Sequence, residues 1–191
     1  YHCQKGNLIG KAYHHLCLTY KKQFDRGLIE SSSQSIALAK NIQENALIHL
    51  PYLRALCHRL ELELDLIVLS RFLGKMNQIP YAIQRLYNDI QNIPNAILKG
   101  RVFLEKCREE RRLSNLILAQ NNGHSAIEIL PKNTTFFVEA LNELAGSYFE
   151  LQNIKGANKY FSQAFFHATE NNNSRGKAAA SNGLGAISAS Q

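Results

Sequence analysis

Long apolar runs are missing from this chain: uninterrupted hydrophobic stretches stop at four residues, as in Leu66-Ile67-Val68-Leu69, where a membrane-spanning helix needs roughly 18–20. Proline is scarce, at four residues in 191, so long helices meet few interruptions. The four cysteines, Cys3, Cys17, Cys57 and Cys107, lie far apart without a C-x-x-C pair. That spacing excludes the dense disulfide framework of small secreted domains. Isolated cysteines read as reduced, buried thiols, which points toward the cytoplasm. No phosphate-cradling glycine loop, no G-x-S-x-G elbow and no H-E-x-x-H helix occurs, so no catalytic apparatus and no cofactor site is visible. No basic stretch followed by an apolar segment precedes Tyr1; a signal peptide is either absent or already removed, and the chain reads as an excised piece of a longer protein.

What is present is ordinary globular material. Hydrophobic residues make up 45% and charged residues 19%, enough apolar surface to offset the ordering entropy that keeps polar chains disordered. The length suits one domain or one short array of repeats. Lys and Arg number 22 against 15 Asp and Glu, a net charge of +7, which favours acidic partners without bearing on fold.

Helical spacing dominates the chain. Ala12, Leu16 and Tyr20 fall one turn apart, Phe24-Asp25-Arg26-Gly27 breaks the pattern, and Ile29, Ile36 and Ala39 resume it to about Lys40. Near the other end Ala140, Leu141, Leu144, Ala145 and Tyr148 form one stripe, Gln152-Asn153 a turn, and Ala157, Phe161 and Ala164 a second stripe. Each half predicts a helical hairpin. Between them Pro51, Pro80, Pro94 and Pro131 each suit the first turn of a helix. Ser125 and Glu128 have the spacing of a capping box, and Asn121-Asn122-Gly123 and Asn171-Asn172-Asn173-Ser174 read as separating loops. Leu60 to Leu66 alternates with acidic residues as a half-buried strand would, yet Leu and Glu favour helix and β-branched residues are missing from the alternation. The segment therefore reads as helix, and the fold class as all-α.

The two hairpins share a detail: a Leu followed by a small residue, Leu16-Cys17 and Leu144-Ala145, one turn ahead of Tyr20 and Tyr148. With Ala157, Phe161 and Ala164, this arrangement resembles the tetratricopeptide repeat, a unit of about 34 residues made of two antiparallel helices. Gly176-Lys177-Ala178, followed by Leu184-Gly185, echoes Gly10-Lys11-Ala12 as a third opening, and its hairpin reads as cut off at Gln191. The resemblance implies a single α-solenoid domain over residues 1–191 and a concave groove lined by the first helix of each pair. It places His14, Leu18, Lys21 and Lys22 of the first hairpin, and Asn142, Gly146, Phe149 and Glu150 of the later one, in that groove. Lys21 and Lys22 would suit an acidic peptide or a free carboxylate, or stand solvated at a helix C-terminus where the dipole favours cations. The carboxylate-clamp subgroup differs, since His14 and Leu18 occupy positions where it carries lysine and asparagine.

The function this implies is non-enzymatic binding of a protein or peptide, in a sensory or regulatory region attached to a bacterial signalling or transcription-regulatory output domain; a homodimer is compatible with it. Two other classes stay open: a nucleic-acid-binding helical repeat, motivated by the net charge, and a small-ligand sensor with Tyr and Phe lining a pocket between hairpins. Other constellations read as structural. His14, His15 and Cys17, with His2 and Cys3, offer metal-ligand types, but adjacent histidines diverge on a helix. Cys57-His58 diverge likewise and read as a buried thiol beside a half-exposed imidazole. Lys99, Arg101, Lys106, Arg108, Arg111 and Arg112 are interleaved with Glu105, Glu109 and Glu110, and pairs such as Glu105–Arg108 and Glu109–Arg112 predict a solvated face laced by ion pairs.

Overall fold

Asparagine and threonine mark where helices begin. In a computed structural model that describes residues 52–72, 74 and 76–190, with Gln34 alone before them, seven helices follow one another. They are α1 (Tyr52–Phe72), α2 (Ile79–Asp89), α3 (Ala96–Arg112), α4 (Leu116–Ile129), α5 (Thr135–Glu150), α6 (Ile154–Glu170) and α7 (Ser174–Ala189). There is no strand among the described residues, so the all-α class holds. No described helix is long and apolar enough to cross a membrane. The first hairpin over Ala12 to Lys40, with His14, Leu18, Lys21 and Lys22, falls outside the described residues apart from Gln34, as do His2, Cys3, His15, Cys17 and Pro51.

The chain forms two compact units, Tyr1–Leu86 and Tyr87–Gln191. In the first, the alternating segment sits inside α1. Leu60, Leu64 and Ile67 are buried at the i, i+4, i+7 spacing of one helical face, and helix propensity overrides the period of two. Glu63 of α1 takes Arg59 at 3.7 Å and Arg85 of α2 at 2.8 Å. Pro80 stands in the first turn of α2, as its missing N–H allows.

In the second unit α3 packs on α4, α4 on α5, α5 on α6 and α6 on α7; α5 also packs on both α3 and α7. The side-chain caps repeat. Asn95 accepts from Leu98 N–H at 3.0 Å, Thr134 from Phe137 N–H at 3.2 Å and Asn173 from Gly176 N–H at 2.9 Å. These caps open α3, α5 and α7 at even intervals of 39 residues, 95 to 134 and 134 to 173. Small residues recur with them: Gly100, Ala140 and Ala180 are each buried on their helix, which lets neighbouring backbones close in.

Three connections have one design. Ser114, Gln152 and Asn172 adopt left-handed backbone, φ 61°, 59° and 51°. The N–H that follows each of them bonds back into the last turn of the helix just completed: Asn115 to Glu110 O at 2.8 Å, Asn153 to Tyr148 O at 2.9 Å and Asn173 to Ala168 O at 2.8 Å. This is the Schellman ending, normally served by glycine. Asn115, Asn153 and Asn173 are at once the N-caps of α4, α6 and α7, so one residue ends a helix and begins another. The Gln152-Asn153 turn falls where the sequence puts it, and the Asn171-Asn172-Asn173-Ser174 loop does so up to Ser174, which already opens α7.

Elsewhere the structure departs from expectation. Asn121-Asn122-Gly123 and the Ser125–Glu128 pair lie inside α4. Ser125 Oγ donates to Asn121 O at 3.1 Å and Asn122 Nδ2 to Leu118 O at 2.9 Å. The polar side chains satisfy their own helix's carbonyls instead of capping, and Gly123 is held in the helix by packing. A Cβ there would stand 3.0 Å from Leu144 Cδ1 and 3.3 Å from Cys107 Sγ. Pro131 follows the end of α4 and Pro94 precedes the Asn95 cap, so both punctuate linkers and neither opens a helix.

The core joins Leu104, Ala126, Leu130, Val138, Leu141, Leu144, Ala145, Ala157, Phe161, Ala164 and Ala180. The two expected stripes supply Ala140, Leu141, Leu144, Ala145, Ala157, Phe161 and Ala164 of it, and Tyr148 packs against it.

Candidate binding face on α5

A helix that packs on a partner before it and a partner after it must divide its circumference. On α5 the stripe of Leu141, Leu144 and Ala145 is buried in the core. A second strip, Glu139, Asn142, Glu143, Gly146 and Glu150, runs at i, i+3, i+4, i+7, i+11 on another face and reaches both α3 and α7.

Toward α3 the strip is charged. Arg108 donates through Nη1 to Glu105 at 2.6 Å, through Nη2 to Glu139 at 2.6 Å and through Nε to Glu143 at 3.2 Å. Arg111 lies one turn on, donating through Nε to Glu150 at 2.8 Å and through Nη1 to Glu143. Burial works against the charge of Arg108, but Glu139 and Glu143 outweigh it and hold the guanidinium above its ordinary range. Arg111 is raised in the same way, by Glu143 and Glu150 against burial. Gly146 makes room for this: a Cβ there would stand 2.7 Å from Arg111 Nη1. Toward α7, Asn142 Nδ2 donates to Gly176 O at 3.2 Å, and its Oδ1 is buried with no donor.

Of the eight groove positions anticipated from the sequence, the four described ones fall on one helix with unequal access. Asn142, Gly146 and Phe149 are half-buried and Glu150 is exposed. Sequence reasoning omitted Glu139 and Glu143 from this face, although they lie three residues before and one after Asn142; helical spacing alone would have added them.

The basic stretch of α3 is more deeply engaged than a solvated face. The pairs Glu105–Arg108 and Glu109–Arg112 form, each at 2.6 Å, but Glu105, Glu109 and Arg101 are buried. The guanidinium of Arg101 stands 4.5 Å from the Phe136 ring centre and Lys106 Nζ 3.8 Å from that of Tyr87. Lys99 Nζ donates to Gln91 O at 3.1 Å. The reason is tertiary: α5 packs on α3 and brings carboxylates to a face that the sequence assigns to water.

A third cluster joins α4, α5 and α6. His124 Nε2 lies 3.1 Å from Tyr148 Oη, and the His124 ring meets Tyr160 edge-on at 5.6 Å. The Tyr148 and Tyr160 rings lie 5.3 Å apart. Burial, then the charge of Lys159, lowers the His124 pKa. Burial pushes the Cys107 thiol up to about 12, helped by Glu143, so it packs as a hydrophobe and is no nucleophile. Cys57 is free and half-buried. Among the described residues no three His, Cys, Asp or Glu side chains gather as a metal would require.

No family model matches this chain, and no curated protein and no solved structure matches it either.

Proposed function

We propose that the chain is a non-enzymatic helical-repeat module of tetratricopeptide type that binds a segment of a protein or peptide along the α5 face. The observation that carries this reading is the α5 strip itself, in contact with α3 on one side and α7 on the other while Phe149 and Glu150 keep exposed surface. The evenly spaced caps of α3, α5 and α7 support a repeated unit. At 39 residues the unit exceeds the roughly 34 of the tetratricopeptide repeat, and its helices of 14 to 17 residues take up the difference. A surface of this kind fits the regulatory region of a larger signalling or transcription-regulatory protein, because its side chains can vary while the packing stripe stays fixed.

The nucleic-acid reading draws on the +7 net charge, but all six basic residues of the 99–112 stretch already face carboxylates, rings or carbonyls. The test is selection of binding peptides from a random library, followed by mapping on the amide spectrum of the labelled chain. Selected peptides are expected to shift α5 amides and to weaken with Phe149→Ala, while mixed oligonucleotides bind only at low salt. Peptides that map elsewhere, or tight oligonucleotide binding that survives added salt, would reverse the proposal.

A further inference from the structure

We infer that the end of the second unit where α3 and α5 finish and α4 begins is a self-association surface, on which a second copy of this chain docks. Seven large hydrophobic side chains are exposed among the described residues: Tyr81, Ile97 and Phe166 singly on other elements, and Leu113, Ile117, Leu118 and Leu151 at this one end. Leu113 closes α3, and Ile117 and Leu118 lie in the first turn of α4, across a connection of three residues. Leu151 closes α5. The two closing leucines share an end because α3 and α5 run parallel. Arg108 reaches Glu139 and Glu143, and Arg111, one turn on, reaches Glu150, the last residue of α5.

The start of α4 inverts the usual order of apolar residues. The helix turns Ala119, Gly123 and Ala126 into the core and leaves Ile117 61% and Leu118 51% exposed, so small residues are buried while large aliphatic ones face water. Exposed aliphatics scattered singly are ordinary. Four at one end, rimmed by the exposed polar residues Ser114, Asn115, Asn121 and Gln152, form a patch on the order of a few hundred Å², the size that marks a contact surface. Charge selects the occupant. Over residues 109–118 and 150–155, Glu109, Glu110 and Glu150 balance Arg111, Arg112 and Lys155, and Arg111 and Arg112 already hold Glu150 and Glu109. This end is therefore neutral in a chain of +7. A partner chosen by its charge finds no handle here, whereas two copies, which repel each other elsewhere, can close on it, each supplying the other's apolar cover. The contact stays below the roughly 1,200 Å² at which standard interfaces begin, so the dimer is weak and depends on concentration.

This surface is separate from the α5 strip, and its test is the oligomeric state of the purified chain, followed by sedimentation equilibrium from micromolar to near-millimolar concentration. The average mass is expected to rise toward that of two chains. Added salt should leave the dimer unchanged or tighten it, because screening weakens the repulsion of the two cationic copies and no ion pair across the contact is lost. Ile117→Glu/Leu118→Glu is expected to weaken dimerisation about tenfold or more, since it buries unpaired charge in the contact. Both side chains face water in the single chain, so the melting temperature of the variant at low concentration should stay near that of the parent. Ile117→Ser alone covers failure of the double variant to fold, with a smaller loss in the same direction. Phe166→Ser, which removes an exposed aromatic side chain from α6, is the control that leaves dimerisation unchanged. A parent chain that stays monomeric throughout, a dimer that falls apart on adding salt, or a dimer of undiminished affinity in the double variant would each overturn the inference. The first result would leave the patch to a different protein, and the other two would put the contact between copies elsewhere on the chain.

Discussion

Arg108 on α3 holds Glu139 on α5 through an Nη2–Oε2 bond of 2.6 Å, and with its other two nitrogens it ties Glu105 and Glu143 into the same knot. One planar fork thus joins two helices through carboxylates 31 and 35 residues away in sequence. A guanidinium can do this because its donors diverge in a fixed plane from three nitrogens; an ammonium carries its three donors on one nitrogen and reaches less widely spaced acceptors.

Replacing Arg108 should therefore loosen the α3–α5 contact. Arg108→Ala takes this guanidinium from the 4% exposed Glu105 side chain and the half-buried Glu139 and leaves Glu143 with Arg111 alone, and is expected to cost about 2–4 kcal/mol. Arg108→Lys keeps the charge and should still lose about 1–2 kcal/mol of the bonding. Urea unfolding of the three proteins checks both. A lysine variant as stable as the parent would show that charge alone, without the fork, holds these helices.

Two glycines of α7 should respond to alanine with opposite signs. A Cβ on Gly185 meets nothing within 4 Å, so Gly185→Ala gains only helix propensity and is expected to stabilise by about 0.5–1 kcal/mol. A Cβ on Gly183 runs into the ring of Phe161, which is itself buried. Overpacking outweighs propensity there, and Gly183→Ala should destabilise by about 1–2 kcal/mol. Thermal melts of the pair decide it, and two shifts of the same sign would contradict the packing of α7 on α6.

His124 gives the chain a pH dependence of known direction. Its pKa is lowered by burial and by Lys159, so the unfolded chain binds this proton more readily than the folded one. Stability is then unaffected above the ordinary histidine value of about 6.5 and declines as pH falls from there toward the folded pKa. An imidazole titration by NMR should place the His124 midpoint below the ordinary value. His124→Gln should flatten the fall in melting temperature between about pH 7 and pH 5. A midpoint above the ordinary value would mean that Tyr148 and Tyr160 stabilise the imidazolium.

The legible part of this protein was its local part. The stripes of α5 and α6, the helical state of the Leu60–Leu66 alternation and the ion pairs Glu105–Arg108 and Glu109–Arg112 all depend on residues within a few turns of each other, where propensity and spacing act directly. The misreading of α4 has the same origin in reverse. Asn121, Gly123 and Ser125 are local loop and cap signals, but Leu144 and Cys107 close on Gly123 from other helices and the helix runs through them. No glycine marks the turns at Ser114, Gln152 and Asn172; Asn172 is a residue that takes left-handed backbone readily, whereas Ser114 and Gln152 are held there by the helix on either side.

Sequence alone determined that the described part of this chain is helical, where the α5–α6 hairpin turns, and that the small and aromatic residues of its stripes face inward. Tertiary structure alone decided that Arg108 and Arg111 of α3 bond the carboxylates of α5. The physical reason is distance along the chain. Packing stripes repeat every three or four residues and can be read from neighbours, whereas Arg111 meets Glu150 across 39 residues, a pairing that only the stacking of whole helices can bring about.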